Sequence, residues 1–175
     1  KIGGEFTVNT FLTGQQTSSS VTADANGGFT GSWQSNDGTI RSRSFLSQSI
    51  IDGTAASDTL NGDAKANVIN GYLGNDTLNG GAGDDVLDGG AGNDTLTGGQ
   101  GADEYKFGVS GGADTINAYD TDGSVDKLTV GTGVSSSQLW FAQSGEDLVC
   151  SIIGTSDSVT VHYWFAGANQ KLDRI

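Results

Sequence analysis

From Gly53 to Lys106 the chain reads in registers of nine that never slip: GTAASDTLN, GDAKANVIN, GYLGNDTLN, GGAGDDVLD, GGAGNDTLT and GGQGADEYK. The first position is always glycine (Gly53, Gly62, Gly71, Gly80, Gly89, Gly98), and the sixth reads Asp58, Asn67, Asp76, Asp85, Asp94, Asp103. The eighth is always large and mostly aliphatic: Leu60, Ile69, Leu78, Leu87, Leu96, Tyr105. Ile51 extends this apolar ladder one step toward the N-terminus. A fixed short period means that each repeat is one small structural unit, unable to bury its apolar side chain alone and completed by stacking on its neighbours. The glycine-rich first six residues suit backbone conformations that only glycine adopts cheaply, and they turn carbonyl oxygens inward. The triplets that follow, such as Thr77-Leu78-Asn79 and Val86-Leu87-Asp88, are strand-like, with the central residue pointing to the interior.

This pattern resembles the RTX (repeats-in-toxin) nonapeptide, GGxGxDxUx with U a large apolar residue. The resemblance implies that each nonapeptide gives one glycine-rich turn and one short strand, two making a full coil of a right-handed parallel β-roll. A given turn then stacks on the one eighteen residues away. One edge should carry Asp58, Asp76 and Asp94, and the other Asn67, Asp85 and Asp103. Paired carboxylates and glycine carbonyls between stacked turns make an all-oxygen cage, which suits a hard cation of flexible geometry: Ca²⁺ rather than Zn²⁺, with Mg²⁺ well behind. The expected metal-site residues are Asp58, Asn67, Gly71, Gly74, Asp76, Gly80, Gly83, Asp85, Gly89, Gly92, Asp94, Gly98, Gly101, Asp103 and Asp114. The sites are unequal, because Asn67 replaces an acid, Ala56 and Ser57 weaken the first turn, and Lys65 intrudes on the second. The best pairs are Asp76 with Asp94 and Asp85 with Asp103. Asp114 comes from the degenerate turn Gly111-Gly112-Ala113-Asp114-Thr115-Ile116, displaced by two extra residues and stacked above Asp94.

Composition shows why a metal is needed. The 29 glycines among 175 residues, with no proline and 34% hydrophobic residues, raise the entropy lost on folding without supplying much apolar burial. Two carboxylates about 4 Å apart repel by roughly 1 kcal/mol in water and by up to about 4 kcal/mol at an effective dielectric near 20. Several such pairs would consume much of a typical stability of about 5–15 kcal/mol. The metal-free roll is therefore expected to be unfolded or loose. A formal charge of −13 disfavours nucleic acid and anionic membrane surfaces as partners and makes cations the natural ligands. A single cysteine, Cys150, excludes an internal disulfide framework, and metal is the alternative staple. No apolar run approaches the roughly 20 residues of a membrane span, and the first residues hold no signal-peptide core. The start at Lys1 rather than Met implies a mature form, a fragment or one piece of something larger.

Outside the repeats the pattern is antiparallel β. Leu128 and Val130, Leu139 and Phe141, then Leu148, Cys150 and Ile152, then Val159, Val161, Tyr163 and Phe165 fall on one face of successive strands, with turns at 144–147 and 154–157. This predicts an antiparallel cap on the open end of the roll. The stretch from about Asp126 to the end is similar to the domain commonly found after haemolysin-type calcium repeats. The acid-rich segment 120–126 reads as a solvated turn in preference to an independent EF-hand-like site. Cys150 reads as a small core residue and His162 as a surface or hydrogen-bonded histidine, and no nucleophile–histidine–acid arrangement stands out. At the N-terminus, residues 5–10, 20–23, 28–33 and 39–45 read as strands, with a hairpin turn at 24–27. EFTVNTFLTG followed by ADANGGFTGSW resembles short β repeats that accompany RTX arrays in large bacterial surface proteins.

The chain thus reads as all-β: residues 1–48 an N-terminal β-strand segment, 49–119 the parallel roll, 120–175 the antiparallel cap. The function expected is non-enzymatic, a calcium-folded structural module of a secreted, extracellular bacterial adhesin, surface layer, matrix or filament protein. The resemblance implies type I export. The N-terminal strands, with few apolar side chains to close a domain, are candidates for self-assembly. Two rival readings are a non-catalytic C-terminal module of a secreted hydrolase or toxin, and a carbohydrate-binding module using Trp33, Trp140 or Trp164 as a stacking platform.

Overall fold

In a computed structural model of the chain, the described residues are 17–23, 29–34, 40–45, 48–119, 122–166 and 175. They fall in two compact units, residues 1–47 and 48–175. The first unit contributes three antiparallel strands, β1 (Thr17–Ala23), β2 (Phe29–Gln34) and β3 (Ile40–Phe45), in the order β1-β2-β3. Phe29 pairs with both Ala23 and Phe45 across this sheet. The expected strand at 5–10 and the turn at 24–27 lie outside the described residues.

The second unit is the roll. Short strands alternate between two sheets as the nine-residue period demands: β4 (Ser49–Asp52), β6 (Asn67–Asn70), β8 (Val86–Asp88) and β10 (Glu104–Phe107) on one side. On the other are β5 (Thr59–Asn61), β7 (Thr77–Ala82), β9 (Thr95–Gln100) and β11 (Ala113–Asn117). All neighbours within the repeats are parallel and most are offset by eighteen residues: Leu60 opposite Leu78, Leu78 opposite Leu96, Ile51 opposite Ile69, Ile69 opposite Leu87. The eighth-position side chains of both sheets meet in the interior, where Ile69, Leu78, Leu87, Leu96 and Tyr105 are fully buried. Each such burial is worth roughly 1.5–3 kcal/mol. Ile51 and Leu60, at the first rungs, are only partly covered. The turns adopt the backbone that glycine permits: Gly74, Gly83, Gly92 and Gly101, at the fourth position, all have positive φ.

Past Lys106 the roll goes on further than the sequence suggests. Strand β12 (Lys127–Val130), expected to open the antiparallel cap, instead runs parallel to β10, with Leu128 opposite Tyr105. After a 3₁₀ turn (Ser136–Gln138), β13 (Leu139–Ser144) and β14 (Asp147–Ile152) form an antiparallel hairpin, and β15 (Ser158–Val161) returns parallel to β11. The two sheets are therefore β12-β10-β8-β6-β4 and β13-β14-β15-β11-β9-β7-β5. Period-two alternation marks a strand but carries no information on the direction of its neighbour, which is why the hairpin was legible and the parallel returns were not. Leu128, Leu148, Cys150, Ile152, Val159 and Val161 are buried as expected, whereas Phe141, Tyr163 and Phe165 are exposed. Phe141 sits on β13, the outermost strand, and β15 ends at Val161, after which Tyr163 takes a left-handed φ of 56° and the alternation is lost. His162 is held by Asp147, Nδ1 to Oδ2 at 3.1 Å. Among the described residues no helix is long and apolar enough to cross a membrane.

Candidate metal centre

Each sixth-position side chain lies where the strand begins, inside the turn, and two ladders of hydrogen bonds fix its place. The Oδ1 atom of each acid accepts the backbone N–H of the sixth residue one turn earlier: Asp76 from Asp58 at 2.8 Å, Asp94 from Asp76 at 2.8 Å, Asp85 from Asn67 at 2.7 Å and Asp103 from Asp85 at 2.9 Å. These bonds assemble the two edges expected from the eighteen-residue offset. Fifth-position side chains run a second ladder in the opposite direction, with Asn75 Oδ1 accepting from the Asn93 N–H and Asp84 Oδ1 from the Ala102 N–H. The fifth position, left open in the nonapeptide pattern, thus helps set the spacing of the turns.

The other carboxylate oxygen decides the chemistry. Oδ2 of Asp76, Asp85, Asp94 and Asp103 is buried and has no hydrogen-bond partner. A buried acceptor without a donor costs about 1–3 kcal/mol, more if charged, so four in one small roll call for a positive charge or a proton. Each of these oxygens faces the first-position glycine of its own repeat. A methyl built on Gly71, Gly80, Gly89 or Gly98 would stand closer than 3.0 Å to it, and at Gly71 and Gly80 equally close to the carbonyl oxygen of the next glycine in the stack. Carboxylate and carbonyl oxygens therefore converge on space that a side chain would fill. Among the described residues no three carboxylate, imidazole or thiolate groups converge, so a cation here takes much of its shell from backbone carbonyls. That is the donor set of Ca²⁺, not of Zn²⁺.

The first two turns differ. Asp58 Oδ2 accepts from the Thr54 N–H at 2.7 Å and the Thr54 hydroxyl at 2.8 Å, and Asn67 Oδ1 accepts from the Asp63 N–H at 2.9 Å. Their second-position residues lack the positive φ found at Tyr72, Gly81, Gly90 and Gly99, so the N–H turns inward and satisfies the side chain. Asp114 takes the place expected above Asp94, its Oδ1 accepting the Asp94 N–H at 3.0 Å.

Asp126 is the residue that sequence reading missed. The solvated turn expected at 120–126 is corrected at its end, because Asp126 is buried and its Oδ1 accepts the Asp103 N–H at 2.9 Å, continuing the second edge. Asp122 and Ser124 also engage that edge, accepting the Gly101 N–H and donating to the Gly101 carbonyl, each at 2.8 Å. The residues pack because β12 stacks on β10 and carries the preceding turn with it. The spacing Asp126-Lys127-Leu128 repeats Asp103-Glu104-Tyr105 and is the signal that marks it.

Electrostatics follow from burial. Desolvation pushes the carboxyls of Asp85 up to about 6 and of Asp103 and Asp114 up to about 7; N–H donors partly oppose this, and neighbouring carboxylates add to it. Asp94 is raised for the same reasons. On the outer face Glu104 is the contrast: burial raises it, but hydrogen bonds from Lys106, Lys127 and Thr129 prevail and bring it down to about 2. The raised acids set a pH dependence. Ordinary carboxyls lose their protons near pH 4, so through the window up to about 7 the metal-free folded roll holds protons that the unfolded chain has shed. Its stability thus falls as pH rises through that window, while calcium, which needs the carboxylate form, gains affinity and releases protons. Far-ultraviolet circular dichroism of the metal-free chain is therefore expected to show more β structure at pH 6 than at pH 8, because the folded acids hold protons that the unfolded chain has shed. Metal-free spectra identical at the two pH values contradict the assignment.

A family model agrees with the repeat pattern. A model of the RTX calcium-binding nonapeptide repeat (4 copies) matches residues 52–87 and 71–105. The centre of the chain is an RTX repeat array. A model of the haemolysin-type calcium binding protein related domain matches residues 147–175, behind the RTX roll. Among solved structures, the chain is similar to the AlgE6R3 subunit from the Azotobacter vinelandii mannuronan C5-epimerase, at 29% identity and a TM-score of 0.47, covering 65% of this chain and 75% of that one. It is also similar to the extracellular lipase LipA from Serratia marcescens, at 20% identity and a TM-score of 0.47, covering 81% of this chain and 28% of the lipase. The RTX repeats make this chain a calcium-binding module.

Proposed function

We propose that the chain is a non-catalytic structural module of a secreted bacterial protein, of the adhesin, surface-layer, matrix or filament kind, which folds when it meets calcium outside the cell. The observation that carries this reading is the set of four buried, partnerless Oδ2 atoms, each facing a glycine whose missing side chain leaves the space open. Asp76, Asp85, Asp94 and Asp103 would hold the ions together with turn carbonyls, and calcium would supply the positive charge that these oxygens lack. Of the remaining expected ligands, Asp114 would contribute at the end of the first edge, whereas Asp58 and Asn67, whose oxygens accept the Thr54 and Asp63 N–H groups, would chiefly cap the first two turns. Export by a type I system belongs to the same reading, since a chain that needs calcium to fold stays extended in a calcium-poor cytosol. Self-association through the N-terminal strands belongs to it as well, main-chain pairing between sheets being the means.

Equilibrium dialysis against radioactive calcium in excess Mg²⁺ tests the reading. Several ions per chain are expected to be retained, with a midpoint of roughly 10⁻⁴–10⁻³ M, the range of extracellular modules. Retention of none, or displacement by Mg²⁺ at equal concentration, would overturn it.

A further inference from the structure

The ninth position of the first three repeats is asparagine, and each of these is followed by the glycine that opens the next repeat: Asn61-Gly62, Asn70-Gly71 and Asn79-Gly80. In the later repeats that position is Asp88, Thr97 and Lys106. An Asn-Gly bond is open to an internal reaction, because glycine has no Cβ to hinder its nitrogen and swings readily into the conformation required. The glycine nitrogen attacks the asparagine Cγ, forming an N–C bond as the Cγ–Nδ2 bond breaks. The N–H proton leaves with the amide group as ammonia, and a five-membered succinimide remains. Water then opens the ring at either carbonyl, giving aspartate or an isoaspartyl link that runs the main chain through the side-chain carbons. No oxidant or reductant is involved.

The folded roll blocks the first step. Asn61 and Asn70 end β5 and β6, and Asn79 lies inside β7. Parallel strands hold ψ at about +115°, which keeps the following nitrogen away from the side chain that it must attack. That nitrogen is also committed: the Gly62 N–H donates to the Asn79 carbonyl at 2.7 Å and the Gly71 N–H to the Asp88 carbonyl at 2.8 Å. Gly80 sits between two residues paired with β9, Asn79 with Thr97 and Gly81 with Gly99. The side chains are tied as well, Asn79 Nδ2 donating to Asn61 Oδ1 at 2.9 Å and Asn70 Nδ2 to Asp52 Oδ1 at 2.8 Å. Reaction therefore waits for the turn to open, as hydrogen exchange does.

We propose that Asn61, Asn70 and Asn79 are deamidation sites that the folded roll shields and the unfolded chain exposes, so that time spent without calcium is recorded covalently in the first three repeats. The calcium dependence rests on the reading above. The products harm refolding. An isoaspartyl link adds a carbon to the main chain and breaks a register that strand pairing fixes residue by residue. An ordinary aspartate at position 70 sets its carboxylate against Asp52 Oδ1, which in the native chain accepts from Asn70 and, at 3.1 Å, from the Tyr72 hydroxyl. At Asn79 the same change is milder, since the Asn61 amide can turn over and donate.

Peptide mass spectrometry of the whole chain, incubated at pH 8 in calcium, in EGTA and in EGTA with guanidinium chloride, reads the mass change residue by residue. At all three sites the rate in EGTA is expected to be close to that in guanidinium chloride and to exceed the rate in calcium by at least about tenfold, the reaction following the open fraction. Asn26-Gly27, outside the described residues, is mapped apart from them. Asn70→Asp, which makes one product directly, is expected to need about threefold more calcium to fold, the scale of a like-charge contact near water. An unchanged midpoint in that variant overturns the harm assigned to the product. Equal rates in calcium and guanidinium chloride, or no modification in either, overturn the proposal and leave the calcium reading intact. Rapid modification in guanidinium chloride alone supports shielding by the fold and overturns the calcium reading.

Discussion

Asp85→Ala is expected to lower the apparent calcium affinity by about tenfold or more, and Asp58→Ala by less than about threefold. Asp85 is in the middle of its edge, fully buried, with one oxygen on the Asn67 N–H at 2.7 Å and the other without a partner. Its own N–H reaches Asp103 Oδ1 at 2.9 Å, so it joins the turns before and after it. Removing it takes a charge-assisted contact, worth roughly 1.5–3 kcal/mol, from the ion and leaves a buried N–H unpaired as well. Every 1.4 kcal/mol or so is a factor of about ten. Asp58 differs in burial and in partners. It is half-buried, and the oxygen equivalent to the orphaned ones is already taken by Thr54 through its N–H and hydroxyl. Its loss removes a cap from the first turn more than a ligand from an ion. Calcium titrations of the two variants by circular dichroism measure both numbers, and equal losses contradict the ranking of the turns.

The same ranking shows what the sequence makes legible and what it hides. The apolar ladder from Ile51 to Tyr105 and the pairing of Asp76 with Asp94 and Asp85 with Asp103 are readable, because a strict nine-residue period leaves the chain one way to bury every eighth side chain. Legibility ends where the period does. Asp126 follows its stacking partner Asp103 by twenty-three residues, and β15 reaches β11 only after the β13–β14 hairpin. Such long excursions leave no register to count, and tertiary pairing decides what local pattern cannot. The inequality of the first two turns is hidden for another reason. It depends on the sign of φ at the second position, where Thr54 and Asp63 turn their N–H groups onto Asp58 and Asn67, whereas Gly81, Gly90 and Gly99 do not. Tyr72 shares the glycine conformation with a φ of 73°, a costly one for a bulky side chain, and its hydroxyl donates to Asp52 at 3.1 Å.

Chelation is expected to have the largest effect. Without a cation the roll keeps four buried carboxylate oxygens unsatisfied and a set of acids that can share the interior only by taking up protons. Against this stand a narrow core, a few kcal/mol for each buried rung, and the entropy of its many glycines. Total stability in such domains is only about 5–15 kcal/mol, so removing the ions is enough to tip the balance. The direct measurement is far-ultraviolet circular dichroism of the whole chain at pH 8, first in EGTA and then on titration with calcium. The account predicts a largely disordered spectrum in EGTA and a cooperative return of β structure with a midpoint of roughly 10⁻⁴–10⁻³ M calcium. A β spectrum and a cooperative melt that are the same in EGTA as in calcium would contradict it.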